Sequence, residues 1–310
     1  MSHISYTTIH RYLPPTVKRI IARGGDCWIG EIDETTVLKY PQVQGKPYPE
    51  LQIEAKMLSV LGRHPRIVQS KGLTKDGLLL EFAPNGNLHD YLTANPDTSL
   101  EQRVTWCMQA TEAVRFIHSK RILHCDLRHD NFLLDAKLDL KLADFQGQHF
   151  SADGEILLDG LSLESTKAYL PRTPADHARI KTDLFALGGV IYFIMMGHEV
   201  FPDLDSSNDE QEIERRFRAG DFPADQHAFS KITGNCWKLC YSSAQQVLAD
   251  LQDACGASAR SETLDRLAEH ISSVSDEETS LLATSWLSGL CEEPKAPKVP
   301  PRIRQLVGFD

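Results

Sequence analysis

The sequence predicts an α+β fold, because strand-like and helix-like segments follow one another along the chain. Residues 19–41 contain three short alternating runs, RIIARGG, CWIGEID and TTVLKYP, which is the pattern of paired strands. Residues 99–119 show the longer apolar periodicity of an amphipathic helix. The 310 residues suffice for one two-lobed domain of about 250 residues with an appendage, or for two smaller domains.

The composition is that of an ordinary soluble globular protein, with 41% hydrophobic and 25% charged residues. The formal net charge is -10, so the overall field repels polyanions, and we expect no nucleic-acid and no membrane partner. The N-terminus lacks the apolar core of a secretory signal. The most apolar segment, residues 184–197, is too short to span a bilayer.

The seven cysteines are scattered, odd in number and without a C-x-x-C pair. This pattern favours buried or free thiols over a zinc site, although Cys236 and Cys240 lie at helical spacing. It also fits a reducing compartment. We therefore expect an intracellular protein, cytoplasmic or nuclear. Nothing in the sequence points to a particular oligomeric state.

The most informative stretch is residues 121–148, RILHCDLRHDNFLLDAKLDLKLADFQGQ. It reads as a short strand, a polar turn, and two short apolar runs that end in a second acidic turn. Asp126 comes five residues before Asn131, and Asp144 follows thirteen residues after that. Phosphoryl transfer needs one acid to accept a hydroxyl proton, and an acid and an amide to hold magnesium. These three residues can supply all of that.

Two motifs in this stretch carry a family resemblance. His124 to Asn131, HCDLRHDN, resembles the H-R-D-L-x-x-x-N catalytic loop of eukaryotic protein kinases, and Asp144-Phe145-Gln146 resembles D-F-G. The resemblance implies a bilobal kinase-like fold, with a small antiparallel-sheet N-lobe containing one helix and a larger, mostly helical C-lobe. It also implies ATP and Mg²⁺ as cofactors and a protein substrate phosphorylated on serine or threonine. VLKYP and TDLFALG further resemble a divergent fungal group of kinase-like proteins.

The resemblance implies a division of the chain into three parts. The expected parts are an N-terminal extension (1–16), a kinase-like domain (17–255) and a C-terminal extension (256–310). Within the domain, the expected boundaries are N-lobe 17–82, hinge 83–88 and C-lobe 89–255. The C-terminal extension reads as helices over 261–274 and 276–290, followed by a proline-rich tail.

The resemblance also assigns roles to individual residues. Lys39, fixed by Glu54 on helix 50–61, would neutralise phosphate charge, and Asp126 would deprotonate the substrate hydroxyl. Arg128 stands where a lysine usually meets the γ-phosphate. Asn131 and Asp144 would hold the metal. The expected nucleotide contacts are Ile29, Gly24, Lys39, Leu80, Glu81, Ala83 and Leu133.

Some of these positions also have a plainer interpretation. A single lysine at the end of a strand, such as Lys39, is usually only a solvated side chain. Likewise, Glu54 can point to water, and Leu133 can be a core leucine. Residues 22–27 place Ala22, Gly24 and Cys27 where three glycines usually cover the phosphates, so only one glycine is retained. In isolation this segment is an ordinary hairpin turn.

The chain departs from the family pattern at further positions. Cys125 replaces the arginine that receives an activation-loop phosphate, so we expect no control by that phosphorylation. Gln146 replaces the D-F-G glycine. Arg172 replaces a glutamate that normally pairs with an arginine late in the large lobe, and residues 236–243 offer no arginine, so both halves of that ion pair are missing.

Three functions remain open at this point. The first is an active protein serine/threonine kinase, since no departure removes a group that touches metal or phosphate. The second is a pseudokinase that acts as a binding or scaffold module. The third is a small-molecule phosphotransferase, whose H-x-D-x-x-x-x-N loop is similar. The hinge and the segment around Asp183 favour a protein kinase, because Asp183 resembles the aspartate that accepts hydrogen bonds from the catalytic-loop backbone. We also expect Asp183 to be the N-cap residue of the apolar helix that it opens.

Overall fold

The fold is that of a computed structural model, which describes residues 12–45, 48–173 and 178–256. The chain divides into two compact units, Met1–Cys255 and Gly256–Asp310. Apart from Gly256, the second unit lies outside the described residues, as do the two helices and the proline-rich tail expected there. The boundaries proposed for the extensions, lobes and hinge stay a prediction.

The N-terminal part of the first unit is a five-stranded antiparallel sheet with the spatial order β1-β2-β3-β5-β4. Its strands are β1 (Arg19–Gly24), β2 (Cys27–Asp33), β3 (Thr36–Pro41), β4 (Ser70–Leu73) and β5 (Leu78–Glu81). The three strands expected within residues 19–41 are confirmed, and a tight turn at Gly25 and Asp26 joins the first two. Central strand β3 is buried from Thr36 to Tyr40, so its lysine lies inside the protein.

Among the described residues of this N-terminal part, helix α1 (Pro49–Leu61) is the one helix, and it packs beside β4 and β5. Pro49 at its start matches the fixed backbone angle of a first helical turn. Gly62 ends the helix with a φ of 66°, a conformation that is least costly for glycine. The buried face carries Glu54 among apolar residues, so the helix presents one carboxylate toward the interior.

The C-terminal part of the first unit is mostly helical. Its helices are α2 (Leu88–Ala94), α3 (Leu100–Ser119), α4 (Ile180–Met196), α5 (Glu210–Ala219), α6 (Ser230–Trp237) and a helical run α7 (244–256). Asn87 caps α2 by accepting the Asp90 amide at 2.8 Å. Ser99 caps α3 by accepting the Gln102 amide at 3.2 Å. Both caps satisfy amides that have no partner within the helix.

Helix α4 is buried almost throughout and packs against α3 and α6. It begins at Ile180, with Arg179 as the N-cap residue and the Thr182 hydroxyl donating to the Arg179 carbonyl at 2.7 Å. The expectation that Asp183 caps this helix is therefore wrong, because Asp183 lies inside the first turn. In the described part of the chain, no helix is long and apolar enough to cross a membrane.

Five short strands carry the loops between α3 and α4. They are β6 (Ile122–Leu123), β7 (Phe132–Leu134), β8 (Leu140–Leu142), β9 (Gln148–Phe150) and β10 (Ile156–Asp159). Strands β7 and β8 form a hairpin in which Phe132 pairs with Leu142. Strands β10, β9 and β6 form a second small sheet. The polar turn after β6 and the acidic turn after β8 therefore lie next to each other.

The predicted α+β architecture is confirmed, with a small antiparallel sheet and one helix followed by a larger, mostly helical part. The main core runs through both parts, from Val37 and Leu80 in the sheet to Trp106 and Leu187 in α3 and α4. The turns after β6 and β8 lie beside this core, so their polar groups are held on rigid elements.

Candidate active site

A buried cation joins three separate elements of the fold. The Nζ atom of Lys39 on β3 lies 2.7 Å from Glu54 Oε2 on α1 and 2.5 Å from Asp144 Oδ1 after β8. The Lys39 side chain is 6% exposed and that of Glu54 is fully buried, whereas the Asp144 side chain is 38% exposed. An unpaired charge at such depth would be strongly unfavourable. The solvated strand end considered for Lys39 and the water-facing Glu54 are therefore ruled out.

The three groups shift one another's pKa values. Burial alone would lower the pKa of Lys39, but the Asp144 and Glu54 carboxylates raise it above its usual range. Burial alone would raise the pKa of Asp144, but the charge and hydrogen bond of Lys39 lower it overall. The pKa of Glu54 is raised by its complete burial despite Lys39. Lys39 therefore stays charged, and the partly exposed Asp144 stays ionised at neutral pH.

The turn after β6 brings a second set of predicted residues together. Asn131 Nδ2 donates to the Asp126 carbonyl at 2.8 Å and to its carboxylate Oδ2 at 3.1 Å. Arg128 Nε lies 3.7 Å from the same Oδ2 atom. Burial raises the pKa of Asp126, although Arg128 and His124 oppose this. A carboxylate whose pKa moves toward neutrality is a better proton acceptor at physiological pH.

A buried carboxylate in α4 fixes the backbone of this turn. Asp183 accepts the His124 amide at 2.9 Å, the Cys125 amide at 3.1 Å and His118 Nε2 at 2.9 Å. Cys125 has a φ of 61°, a region that costs a non-glycine residue energy unless its surroundings impose it. The expected contact between Asp183 and the backbone of the catalytic-loop motif is confirmed.

The acidic turn after β8 meets this loop directly. The Ala143 amide donates to the Asn131 carbonyl at 2.8 Å, and the two groups of predicted residues are thereby joined. Asp144 has a φ of 64°. Gln146 Nε2 donates to Asp144 Oδ1 at 3.0 Å, so the residue that replaces the family glycine holds the carboxylate beside it. Two donors, Lys39 and Gln146, therefore share one oxygen of Asp144.

The position that requires glycine is Gly147, one residue after the glycine of the D-F-G pattern. A Cβ atom at Gly147 would lie 2.1 Å from the Leu123 carbonyl oxygen and 2.3 Å from that of His124. Such a backbone contact leaves no room for a side chain. Gln146, by contrast, has no left-handed backbone angle. The loss of glycine at position 146 therefore leaves the close approach between β6 and this turn intact.

The residues expected to contact nucleotide line neighbouring strands and the connection after β5. Ile29 on β2 pairs with Lys39, and Leu80 on β5 pairs with Val37. Gly24 ends β1 opposite Cys27. Glu81 ends β5 and forms an ion pair with Lys141 at 2.8 Å, and the Ala83 carbonyl accepts the Gly86 amide at 3.2 Å. Leu133 lies on β7 and bridges to Asn87. The nucleotide roles of these residues stay predictions.

Sequence reasoning missed a thiol and a phenol near Lys39. Cys27, at the third glycine position, is fully buried. Burial raises the pKa of its thiol to about 11, although Lys39 and a hydrogen bond with Tyr48 lower it. The replacement of a glycine by a larger residue was a usable signal for Cys27. No comparable signal marks Tyr48, because its partner is distant in sequence.

The segment that follows Asp144 contains an ion pair that sequence reasoning also missed. Arg172 Nη2 lies 2.8 Å from Glu164 Oε2, and the guanidinium covers the Tyr169 ring at 4.7 Å. Both side chains are nearly buried, at 11% and 3% exposure. In the family pattern, the partner of the residue at position 172 would lie within residues 236–243. There, Trp237 packs against Phe222 and Leu170 instead. Arg172 therefore has a partner within its own segment.

Comparison with known proteins gives a consistent assignment. The family model described as protein kinase domain matches residues 35–277. Serine/threonine-protein kinase SIK1 of Rattus norvegicus and serine/threonine-protein kinase SIK2 of Gallus gallus are each 34% identical over 179 residues, covering 56% of this chain and 22% of the relative. The carbon catabolite-derepressing protein kinase of Secale cereale is 25% identical over 170 residues, or 54% of this chain and 34% of that protein. The match thus spans about a fifth of the first two relatives.

The Asp183 contacts predict a pH-dependent contribution to stability. Burial alone would raise the pKa of Asp183, but hydrogen bonds from His118 and the backbone lower it below the ordinary 3.8. We expect Asp183→Asn to lower the free energy of unfolding by about 3 kcal/mol at pH 7, because three donors lose a charged acceptor. A carboxyl group whose pKa is lower in the folded than in the unfolded protein stabilises the fold at pH values above its unfolded-state pKa. This stabilisation is lost as the pH falls through the folded-state pKa.

Urea unfolding of wild type and Asp183→Asn at several pH values measures this effect. The difference between the two proteins should be constant above pH 3.8 and shrink below it. Asp97→Asn, at an exposed position, serves as the matched control and should unfold like wild type throughout. A difference that grows on acidification would contradict the role given to Asp183.

Proposed function

The chain belongs to the protein kinase family, and on that premise we propose that it transfers the γ-phosphate of ATP to serine or threonine hydroxyls of proteins. One observation carries the proposal. Such a transfer requires a lysine, two acidic residues and a carboxamide, and these groups lie close together. Lys39 forms an ion pair with Asp144, and Asn131 donates a hydrogen bond to Asp126. The Ala143 amide of one turn donates a hydrogen bond to the Asn131 carbonyl of the other.

We propose that Asp126 accepts the proton of the substrate hydroxyl. Its raised pKa suits proton transfer, and Asn131 fixes the orientation of its carboxylate. Arg128 lies beside the same carboxylate and adds positive charge where negative charge develops on the transferred group. Lys39 would attract the phosphates, while Glu54 holds the ammonium group in place.

The residues present fit a magnesium–nucleotide complex. Asp144 is ionised and partly exposed, and the hydrogen bonds from the Asn131 side chain to Asp126 use its nitrogen. The carboxamide oxygen of Asn131 is therefore the atom that suits a hard cation, and a carboxylate plus an amide oxygen is the donor set Mg²⁺ prefers. ATP supplies the phosphoryl group when bound. The predicted Asp144 and Asn131 would hold the metal.

The remaining expectations also stay proposals. We infer an intracellular location, cytoplasmic or nuclear, and no nucleic-acid partner, on the basis of the net charge of -10 and the scattered cysteines. Membership of the fungal kinase-like group rests on the local motifs alone.

The central test is phosphorylation by wild type and by Asp126→Ala. We expect wild type to incorporate radiolabelled phosphate into a protein such as casein. Incorporation should fall at least about a hundredfold in Asp126→Ala, because a general base contributes roughly that much. Asp97→Ala is the matched exposed control and should keep full activity.

Two results would contradict the proposal. Equal incorporation by wild type and Asp126→Ala would show that the signal is not catalysis by this site, and would favour a pseudokinase. Transfer to choline or an aminoglycoside, with none to protein, would favour a small-molecule phosphotransferase.

A second test concerns the hydrogen bond that Gln146 donates to Asp144. We expect Gln146→Gly to need about tenfold more Mg²⁺ for the half-maximal ATP-induced thermal shift, since a hydrogen bond to a charged group would no longer orient the carboxylate. Asp144→Asn should lose the magnesium-dependent part of the shift altogether. An unchanged magnesium requirement in Gln146→Gly would show that this hydrogen bond does not affect metal binding.

We further propose that the kinase needs no phosphate on the segment between Asp144 and Leu170. Cys125 is 3% exposed and cannot receive a phosphate, because a cysteine has no positively charged form. Arg172, just beyond this segment, is already paired with Glu164 within it. The segment can therefore hold its shape without a modification.

Phosphatase treatment tests this independence. Protein made in bacteria and then treated with a broad phosphatase should phosphorylate casein at the same rate as untreated protein. Mass spectrometry verifies that the treated protein carries no phosphate. A loss of activity on treatment, restored by incubation with ATP, would show that phosphorylation does control the enzyme.

A further inference from the structure

Three polar side chains from distant parts of the chain meet beside the turn after β6. His129 Nε2 lies 2.9 Å from Glu199 Oε1, and Lys167 Nζ lies 3.1 Å from Glu199 Oε2. The side chains of His129 and Lys167 are 11% and 9% exposed, whereas that of Glu199 is 38% exposed. We call these three residues the Glu199 bridge. The carboxylate joins the turn after β6 to the short helical turn Thr166–Ala168.

Glu199 is ionised because both partners favour its charged form. The hydrogen bond from His129 and the charge of Lys167 lower the pKa of Glu199 to about 2, although burial opposes this. Among the residues that the structure describes, Glu199 is the one carboxylate within ion-pair distance of Lys167. A nearly buried lysine without this partner would carry an uncompensated charge. The bridge therefore contributes to the stability of this region.

The imidazole ring of His129 is held from several sides. It stacks on Phe193 of α4 with the ring centroids 4.2 Å apart, and on His89 of α2 at 5.0 Å. Its Nδ1 atom lies 3.3 Å from Asp130 Oδ1, so both ring nitrogens face carboxylate oxygens. His129 also begins the short helical turn His129–Asn131. A side chain restrained in this way restricts the movement of the turn that it begins.

The same turn carries residues of the proposed chemistry. Asn131 follows His129 by two residues, and its side chain donates to the Asp126 carboxylate at 3.1 Å. A displacement of about 1 Å in a reacting group can reduce a rate about a hundredfold. Position 129 is one of the unspecified residues of the H-R-D-L-x-x-x-N motif. The contact between His129 and Glu199 is therefore a feature of this chain that the motif does not supply.

We propose that Glu199, acting through His129, is a positioning residue for Asn131. Asn131 in turn orients Asp126, so this inference rests on the proposed function in which Asp126 accepts a proton. The ion pair with Lys167 fixes the carboxylate and stabilises the fold. The two contacts of Glu199 can be separated by substitution, because an acceptor oxygen suffices for His129, whereas Lys167 requires a negative charge.

Phosphorylation of casein by matched variants separates the two contacts. Lys167→Met removes the nearly buried ammonium group and serves as the background. In this background, Glu199→Gln keeps an acceptor oxygen for His129, whereas Glu199→Met has a similar length and no oxygen. We expect Glu199→Gln to retain kcat within about twofold. Glu199→Met should lower kcat at least about tenfold and leave KM for ATP within about twofold, because Asn131 is no longer positioned.

Glu212 on α5 provides the matched control. Its side chain is 39% exposed and forms ion pairs with Arg215 and Arg216, so it resembles Glu199 in exposure and in number of partners. Glu212→Gln and Glu212→Met, in the same Lys167→Met background, should both keep the kcat and KM of that background.

A second measurement needs neither ATP nor substrate. In protein labelled with ¹⁵N-asparagine, the side-chain amide signals of Asn131 report its hydrogen bonds to Asp126. Asn131→Ala identifies these signals by their absence. In the Lys167→Met background, the signals should move in Glu199→Met and keep their positions in Glu199→Gln.

Thermal denaturation tests the contact with Lys167. Glu199→Gln with Lys167 intact should lower the unfolding midpoint by at least about 5 °C, because it leaves a nearly buried ammonium group unpaired. Adding Lys167→Met should recover most of this loss. A midpoint that falls further in the double variant would contradict the ion pair as a source of stability and overturn the bridge.

The other outcomes also decide the matter. Equal kcat for Glu199→Gln and Glu199→Met in the Lys167→Met background would restrict Glu199 to neutralising Lys167 and overturn the positioning role. Unmoved Asn131 signals in Glu199→Met would overturn it as well. Displaced Asn131 signals in Glu199→Met, together with no phosphorylation of casein by wild type, would support the positioning of Asn131 while contradicting the proposed function.

Discussion

The arrangement of the site depends on one buried ammonium group. Lys39 lies on the most buried strand of the sheet and has two carboxylate partners, Glu54 and Asp144, which come from different parts of the chain. Because a charge at this depth is tolerated only when paired, removal of either partner disfavours the arrangement as a whole. Strand β3, helix α1 and the turn after β8 are thus held in one relative position.

A second buried charge supports the neighbouring loop in the same way. Asp183 is 1% exposed, and it accepts hydrogen bonds from His118 on α3 and from two amides of the turn after β6. The unfavourable φ of Cys125 is therefore imposed by α4. The two loops meet through the Ala143 amide and the Asn131 carbonyl. The backbone of the turn after β6 thus depends on a buried carboxylate that is distant in sequence.

Local patterns in the sequence predicted helices, strands and motif residues. They did not predict side-chain contacts between residues that are distant in sequence. Alternation revealed the three strands within residues 19–41, and the motif spacing revealed Asp126, Asn131 and Asp144. The start of α4 was placed too late because Asp183 resembles a cap, whereas its partners lie about sixty residues earlier in the chain. Gln146 donates a hydrogen bond to Asp144 in a turn where Asp144 has a φ of 64°, and no sequence pattern shows either feature.

Each departure from the family pattern can be explained by the contacts that surround the replaced residue. With Cys125 in place of arginine, Arg172 finds its partner in Glu164, within the segment after β9. With Gln146 in place of glycine, Gly147 keeps the close approach to β6, and the new amide holds Asp144. A substitution that leaves a buried group without a partner costs more than one that changes both partners. The changes therefore leave Asp126 and Asp144 held by hydrogen bonds, in keeping with the proposal that the protein keeps its site and does not depend on a regulatory phosphate.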